Sequence, residues 1–160
     1  MNDSDEGDSD RSGAVVRPPI AWLAAVGGGL LLDGAYPLPF LPGLLTGRLI
    51  GLAIFAAGLA LMIWAATTFR RAGTEIQTTR PTSAIVEVGP YRFSRNPIYV
   101  AMLLGIFGLA LAFNSLWLLF LLMPFWLVIR YGVVAREEAY LERKFASEYL
   151  TYKARVRRWL

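Results

Sequence analysis

Leu49 to Phe69 reads LIGLAIFAAGLALMIWAATTF, 21 residues without a charge between Arg48 and Arg70. At about 1.5 Å per residue, a helix of that length covers roughly 30 Å, the depth of one bilayer core. A second uncharged run of 34 residues separates Arg95 from Arg130. It is too long for one span, and Asn114-Ser115 lies near its middle. The pattern predicts a tight helical hairpin, with arms over 98–113 and 116–134. Upstream, Ile20–Leu32 is apolar and ends at Asp33-Gly34, after which Pro37, Pro39 and Pro42 forbid a regular helix. This run, 20–34, is expected either to cross the bilayer or to dip into it.

The expected fold is therefore all-α: a polytopic bundle of about four transmembrane helices (20–34, 49–69, 98–113, 116–134) and a C-terminal amphipathic cytoplasmic helix. Hydrophobic residues make up 56% of the 160 residues, above the roughly 45–50% of an ordinary soluble domain. Residues 1–12 carry five acids and one base, and 1–17 reads as a disordered acidic tail before a single domain over 18–160. The loop 70–96 has five bases, the tail 136–160 has seven, and the loop 33–48 has only Arg48. Four spans place the basic segments and both termini on one side, which the positive-inside rule makes cytoplasmic. Abundant Ala, Leu, Arg and Gly point to a prokaryotic inner or cell membrane. The bases flank apolar runs and form no separate basic domain, so nucleic acid is not expected as a partner.

The chain has no Cys and no His. That excludes the usual zinc sites, a Ser–His or Cys–His triad and a histidine base, and no metal is expected. Gly27-Gly28-Gly29 lies inside an apolar helical run, which excludes a phosphate-binding loop. Gly43, Gly47, Gly51, Ala101 and Gly105 are expected to allow close helix packing.

Two segments are unlike membrane filler. Glu87–Tyr99 packs two prolines, two arginines and three aromatics into the approach to a membrane helix. Pro97 suits its first turn and Asn96 its N-cap. The segment is either an interfacial anchor or an anion-attracting site. In the second, Arg130 and Glu137 are seven apart, which in an unbroken α-helix puts them on one face about 10.5 Å apart. Glu137 falls on the apolar stripe continued by Leu141, Phe145 and Tyr149, so it is a functional candidate. Glu138 and Glu142 are expected on the solvated side. Arg130 either snorkels or, with Glu137, grips a zwitterion. Ala139–Leu160 is expected to be an amphipathic helix lying on the membrane surface.

Gly89-Pro90-Tyr91-Arg92, Arg95-Asn96-Pro97-Ile98-Tyr99, Arg136-Glu137-Glu138, Phe145 and Tyr149-x-x-Tyr152 together resemble the isoprenylcysteine carboxyl methyltransferase family and its phospholipid methyltransferase relatives. The resemblance runs from about Leu49 to the C-terminus. It implies an integral membrane enzyme that uses S-adenosylmethionine. It also implies that Ser83, Ala84, Ile85, Val86 and Tyr91 line the adenosine side, that Asn96, Pro97, Ile98 and Tyr99 continue the pocket, and that Glu137 holds the methionine end, with Gln77 a further contact. The family commonly has His at the position of Asn96, and its eukaryotic members have an Arg at the position of Val133. Catalytic residues are not identified. The implied partners are the bilayer and a hydrophobic or lipid-linked methyl acceptor.

A carboxylate acceptor is ionised at pH 7 and needs no base, which favours O-methylation, with Arg130 or Arg92 steering the anion. The alternatives are N- or S-methylation of a phospholipid or small molecule, and a non-catalytic membrane scaffold.

Overall fold

The computed structural model describes residues 15–42, 44–72 and 85–160. Gln77, Ser83 and Ala84 therefore lie outside the described residues, as do Gly43 and most of the acidic tail. The described chain is all-helical. We number the helices α1 (Pro18–Ala35), α2 (Leu44–Arg71), α3 (Pro97–Phe113), α4 (Leu116–Leu127) and α5 (Ala135–Arg155). A seven-residue π-helical segment, Val128–Val134, joins α4 to α5 without a turn. Three helical stretches are long and apolar enough to cross a membrane, and α3 is a shorter apolar helix. Large side chains point outward all round the bundle: Leu31 is 77% exposed and Met123 61%. In water such a surface would be an aggregation hazard, whereas lipid is its natural solvent.

α2 packs along α3, and α1 packs against α4. The α2–α3 contact is close because glycines face it. A Cβ on Gly51 would lie 2.4 Å from the Ala112 nitrogen, and one on Gly108 would lie 2.6 Å from the Phe55 nitrogen. Without a hydrophobic drive between helices in lipid, such close backbone approach is what holds the pair. Gly105 turns instead to α1, where Trp22 donates its indole N–H to the Met102 carbonyl at 3.0 Å. Ile106, Phe125 and Ile129 fill the centre of the bundle.

The α3–α4 hairpin turns on Asn114, which sits in the left-handed region (φ 52°). Ser115 caps α4, its hydroxyl accepting from the Leu118 N–H at 3.5 Å. The Asn114 side chain also staples the loop after α1. Its Oδ1 accepts from the Phe40 and Leu41 N–H groups at 2.9 and 2.7 Å, and its Nδ2 donates to the Leu41 carbonyl at 3.0 Å. Trp117 donates to the Tyr36 carbonyl at 2.7 Å alongside. Asn114→Ala strands two backbone donors and puts in the left-handed region a residue that tolerates it less well than Asn. It should lower unfolding stability in detergent by roughly 2–4 kcal/mol. Asn114→Gly, which relieves only the backbone term, should lose less.

The other end of the bundle gathers the sequence's basic segments. Val15 donates to the Gly132 carbonyl at 3.1 Å, and Arg95 donates its backbone N–H to the Arg157 carbonyl at 2.9 Å. The sequence expectation for the tail is corrected here. Its helix ends at Arg155, is broken at Ala146 (φ 42°), and gives way to extended backbone at Val156. Residues 156–160 fold back across the start of α3 because Arg158 finds a buried carboxylate there.

Candidate functional site

Gly89 opens a 3-10 turn, Gly89–Arg92, at φ 62°. A Cβ at that position would meet the Thr68 hydroxyl at 2.8 Å, so the turn can sit directly on the end of α2. Pro90 follows with its φ already set. Tyr91 is buried, with its ring 5.2 Å from that of Phe69. Its carbonyl accepts from the Tyr152 hydroxyl at 2.8 Å, whereas its own hydroxyl is buried and has no hydrogen-bond partner among the described residues. Burial, then the neighbouring Tyr152 and Glu137, push that hydroxyl well above its ordinary pKa, so it remains a proton donor.

Asn96 holds the N-cap position of α3, and Pro97 is the first helical residue. The side chain does not cap the helix as expected. Its Nδ2 donates to the Arg158 carbonyl at 2.9 Å. The Ser94 hydroxyl accepts the Asn96 N–H at 3.1 Å. Tyr99, one turn into α3, donates its hydroxyl to Glu137 Oε1 at 2.9 Å. Glu137 lies in the first turn of α5, just past the π segment that ends at Val134. The Tyr99 bond occupies one oxygen of its carboxylate. Burial, opposed by that hydrogen bond and reinforced by Glu138, raises the Glu137 carboxyl from 4.5 to about 7.

The expectation that Glu138 faces solvent is wrong. It is 6% exposed and lies between two arginines. Arg158 grips it bidentately, Nε at 3.0 Å and Nη2 at 2.6 Å, and Arg95 approaches at 3.3 Å. Arg95 also donates to the Tyr149 hydroxyl at 3.4 Å. A buried carboxylate needs such partners, because removing it from water costs several kcal/mol. Period alone puts Glu138 on the outer face. The surplus of arginines in the last four residues was the available signal.

Of the other sequence candidates, Val86 is buried beside Ala65 and Tyr91, with Ile98 packed against that cluster, and Ile85 is half-buried. Pro97 is buried, and Arg92 is exposed. Arg130 stacks over Trp126 (5.0 Å) and Tyr131 (5.4 Å), and its Nε is buried without a partner. Its seven-residue spacing to Glu137 means a shared face only in an unbroken α-helix. The intervening π segment turns through a smaller angle per residue, and such segments recur at functional sites. Among the described residues, no group of three or more acidic side chains gathers as a metal site.

The site therefore presents one carboxylate raised to about 7, two tyrosine hydroxyls and a tilted pair of aromatic rings. An unpartnered hydroxyl beside an acceptor carboxylate fits a small polar cation with an aromatic portion. S-adenosylmethionine, with an ammonium, a sulfonium and an adenine ring, meets that description. A wholly apolar cleft of about 220 Å³ opens alongside, lined by Leu61, Trp64, Phe93, Val100 and Leu160, and shares Pro90, Ser94 and Pro97 with this segment.

The family model described as phospholipid methyltransferase matches residues 46–148 of the chain. An uncharacterized protein of Haemophilus influenzae is 61% identical over 36 residues, 22% of this chain. That match spans only 57% of the Haemophilus protein's own length. No solved structure matches.

Proposed function

Because the chain belongs to the phospholipid methyltransferase family, of which the isoprenylcysteine enzymes are close siblings, we propose that it moves a methyl group from S-adenosylmethionine to a hydrophobic or lipid-linked acceptor at the cytoplasmic membrane surface. The observation that carries this reading is the meeting of Tyr91, Tyr99 and Glu137. These residues come from a loop, from α3 and from α5, and they converge where membrane and water adjoin.

In this reading Glu137 accepts hydrogen bonds from the ammonium of the donor, and Tyr99 holds the carboxylate in place. Tyr91 donates its free hydroxyl, and the Phe69–Tyr91 ring pair offers an aromatic face. Ile85, Val86, Asn96, Pro97 and Ile98 form the remaining wall, with Gln77, Ser83 and Ala84 as further contacts carried over from the family. Bound there, S-adenosylmethionine supplies a methyl group already activated on a sulfonium. The protein's task is to align the acceptor and to exclude water. The apolar cleft would take the first carbons of the acceptor's chain, which reaches it sideways from the bilayer. The cytoplasmic orientation of both termini rests on the arginine distribution.

O-methylation of a carboxylate remains the first reading for the acceptor, since such a group arrives ionised. Arg92, exposed at the mouth, and Arg130 are the cations available to steer it. N-methylation of a lipid amine is the second, favoured by Glu137 itself. A carboxyl near 7 is suited to accept the proton an ammonium must lose.

Labelled S-adenosylmethionine offered with a lipid extract and hydrophobic acids should yield a labelled apolar product. Mild alkali should release the label as methanol from a methyl ester and leave an N-methyl product intact. No transfer, together with no heat on adding the demethylated cofactor to purified protein, overturns the reading in favour of a scaffold. Under the carboxylate reading, Arg130→Ala should raise KM for the acceptor and leave cofactor affinity unchanged. Loss of cofactor affinity at constant acceptor KM contradicts that role.

A further inference from the structure

The last five residues do something that a surface helix would not. They cross the start of α3, and their backbone carbonyls satisfy the loop beneath: Arg157 accepts from the Arg95 N–H at 2.9 Å, and Arg158 accepts from Asn96 Nδ2 at 2.9 Å and from the Ser94 hydroxyl at 3.4 Å. The Arg158 side chain reaches inward to Glu138, next in sequence to Glu137. We propose that residues 156–160 are a strap that tunes the candidate cofactor pocket, and that Arg158 is its positioning residue, pairing with Glu138 so that the neighbouring Glu137 carboxylate meets less negative charge. This rests on the methyltransfer reading only for its consequence, not for the tuning itself.

The electrostatic argument follows from geometry. Facing Glu137 are Tyr99 from α3, Tyr91 from the 3-10 turn and Glu138 from its own helix. The Tyr91 hydroxyl is held above its ordinary pKa by burial, the Tyr99 hydroxyl donates to Glu137, and among the described residues Glu138 is the acidic neighbour that opposes negative charge on Glu137. Two adjacent carboxylates in a poorly hydrated site each hold a proton more tightly. Arg158 and Arg95 offset part of that effect by pairing with Glu138. Arg158 belongs to the chain's terminal segment, so the setting depends on the strap being docked. The strap also holds Asn96, the residue that stands where the resembled family has His. The Arg158 backbone carbonyl fixes its amide by accepting from Nδ2 at 2.9 Å.

The test titrates Glu137 directly. In detergent-solubilised full-length protein, the carboxyl C=O infrared band present in wild type and absent in Glu137→Gln should disappear with a midpoint near pH 7. Arg158→Gln leaves Arg95 on Glu138, so the midpoint should rise by about one pH unit rather than several. Arg158→Lys, which retains the charge, should recover most of the shift. Arg158→Gln combined with Glu138→Gln removes both charges and should return the midpoint to the wild-type value or below. An unmoved midpoint in Arg158→Gln, or a double variant that stays shifted, overturns the proposal and leaves the strap a structural tie. Affinity for the demethylated cofactor, measured on the same samples, should follow Glu137 ionisation. If wild type binds none, the methyltransfer reading fails while the infrared result still decides the tuning. Should Arg158→Gln not fold, Glu138→Gln alone carries the comparison. It removes the opposing carboxylate and should lower the midpoint, and no fall would count against the tuning.

Discussion

Glu137→Gln should weaken S-adenosylmethionine binding about a hundredfold and, at pH 8, make the protein more stable. The loss of affinity follows from removing a partly buried charge from a cationic ligand, which costs roughly 2–5 kcal/mol in comparable pairs. The amide keeps an oxygen for the Tyr99 hydroxyl, so the pocket need not collapse. The gain in stability has the opposite origin. Burial raises the Glu137 carboxyl from 4.5 to about 7, so the folded protein binds this proton more tightly than the unfolded chain. That contribution to stability is fully present below pH 4.5 and is lost as pH rises through about 7. Above 7 the folded state carries an unfavourable buried charge that Gln lacks. Unfolding in detergent should show wild type and variant converging near pH 4, and the variant ahead at pH 8 by roughly 2 kcal/mol.

Wild-type affinity for the cofactor should rise about tenfold per pH unit up to about 7 and then level off, since only the ionised carboxylate attracts the ammonium. In Glu137→Gln this dependence should vanish. Calorimetric titration at pH 5.5, 6.5 and 7.5 checks both. A variant that binds as tightly as wild type would remove Glu137 from the site.

The second large effect is structural. Gly51→Ala should cost about 3 kcal/mol or more and deplete folded protein from detergent extracts. The new Cβ meets backbone, the Ala112 nitrogen at 2.4 Å and the Gly108 carbonyl oxygen at 2.5 Å. Backbone cannot rotate away as a side-chain tip can, so α2 and α3 must separate. Gly108→Ala meets the Phe55 nitrogen and the Gly51 carbonyl and should behave alike. Gly29 is a milder case, because its neighbour at 2.5 Å is the end of the Leu118 side chain. Gly27 and Gly34 have nothing within 4 Å. Alanine there should be neutral or stabilising by up to about 1 kcal/mol, through helix propensity alone. Thermal unfolding of the five variants side by side separates close packing from a general intolerance of substitution. Equal losses at Gly51 and Gly34 would contradict the close-contact account.

The bundle was legible in the sequence because its determinants are local. A bilayer reads the length of an uncharged run, a proline forbids a helix wherever it stands, and Asn114-Ser115 turns the chain by its own backbone preference and cap. The expected spans fall within two residues of the observed helix limits except for α2, which begins at Leu44 rather than 49 because Arg48 ends the apolar run but not the helix, and α4, which ends at Leu127 and reaches 134 only through the π segment. Among the described small residues, Gly47, Gly51, Ala101 and Gly105 were rightly read as packing sites, though not which neighbour each one faces. The approach of residues 89–99 to 136–138 was also foreseen, since the basic segments had to share one side.

What the tertiary structure alone decided is the wiring within that end. An unbroken α-helical period puts Arg130 on the Glu137 face and Glu138 in water. A π segment changes the first, and Arg158 and Arg95 overrule the second. The Asn96 bond to the Arg158 carbonyl joins residues 62 apart in sequence, and no spacing rule reaches that far. Hydropathy and turn chemistry are properties of neighbours along the chain. Which arginine neutralises which carboxylate is settled only when the folded chain leaves a buried charge that some distant residue must satisfy.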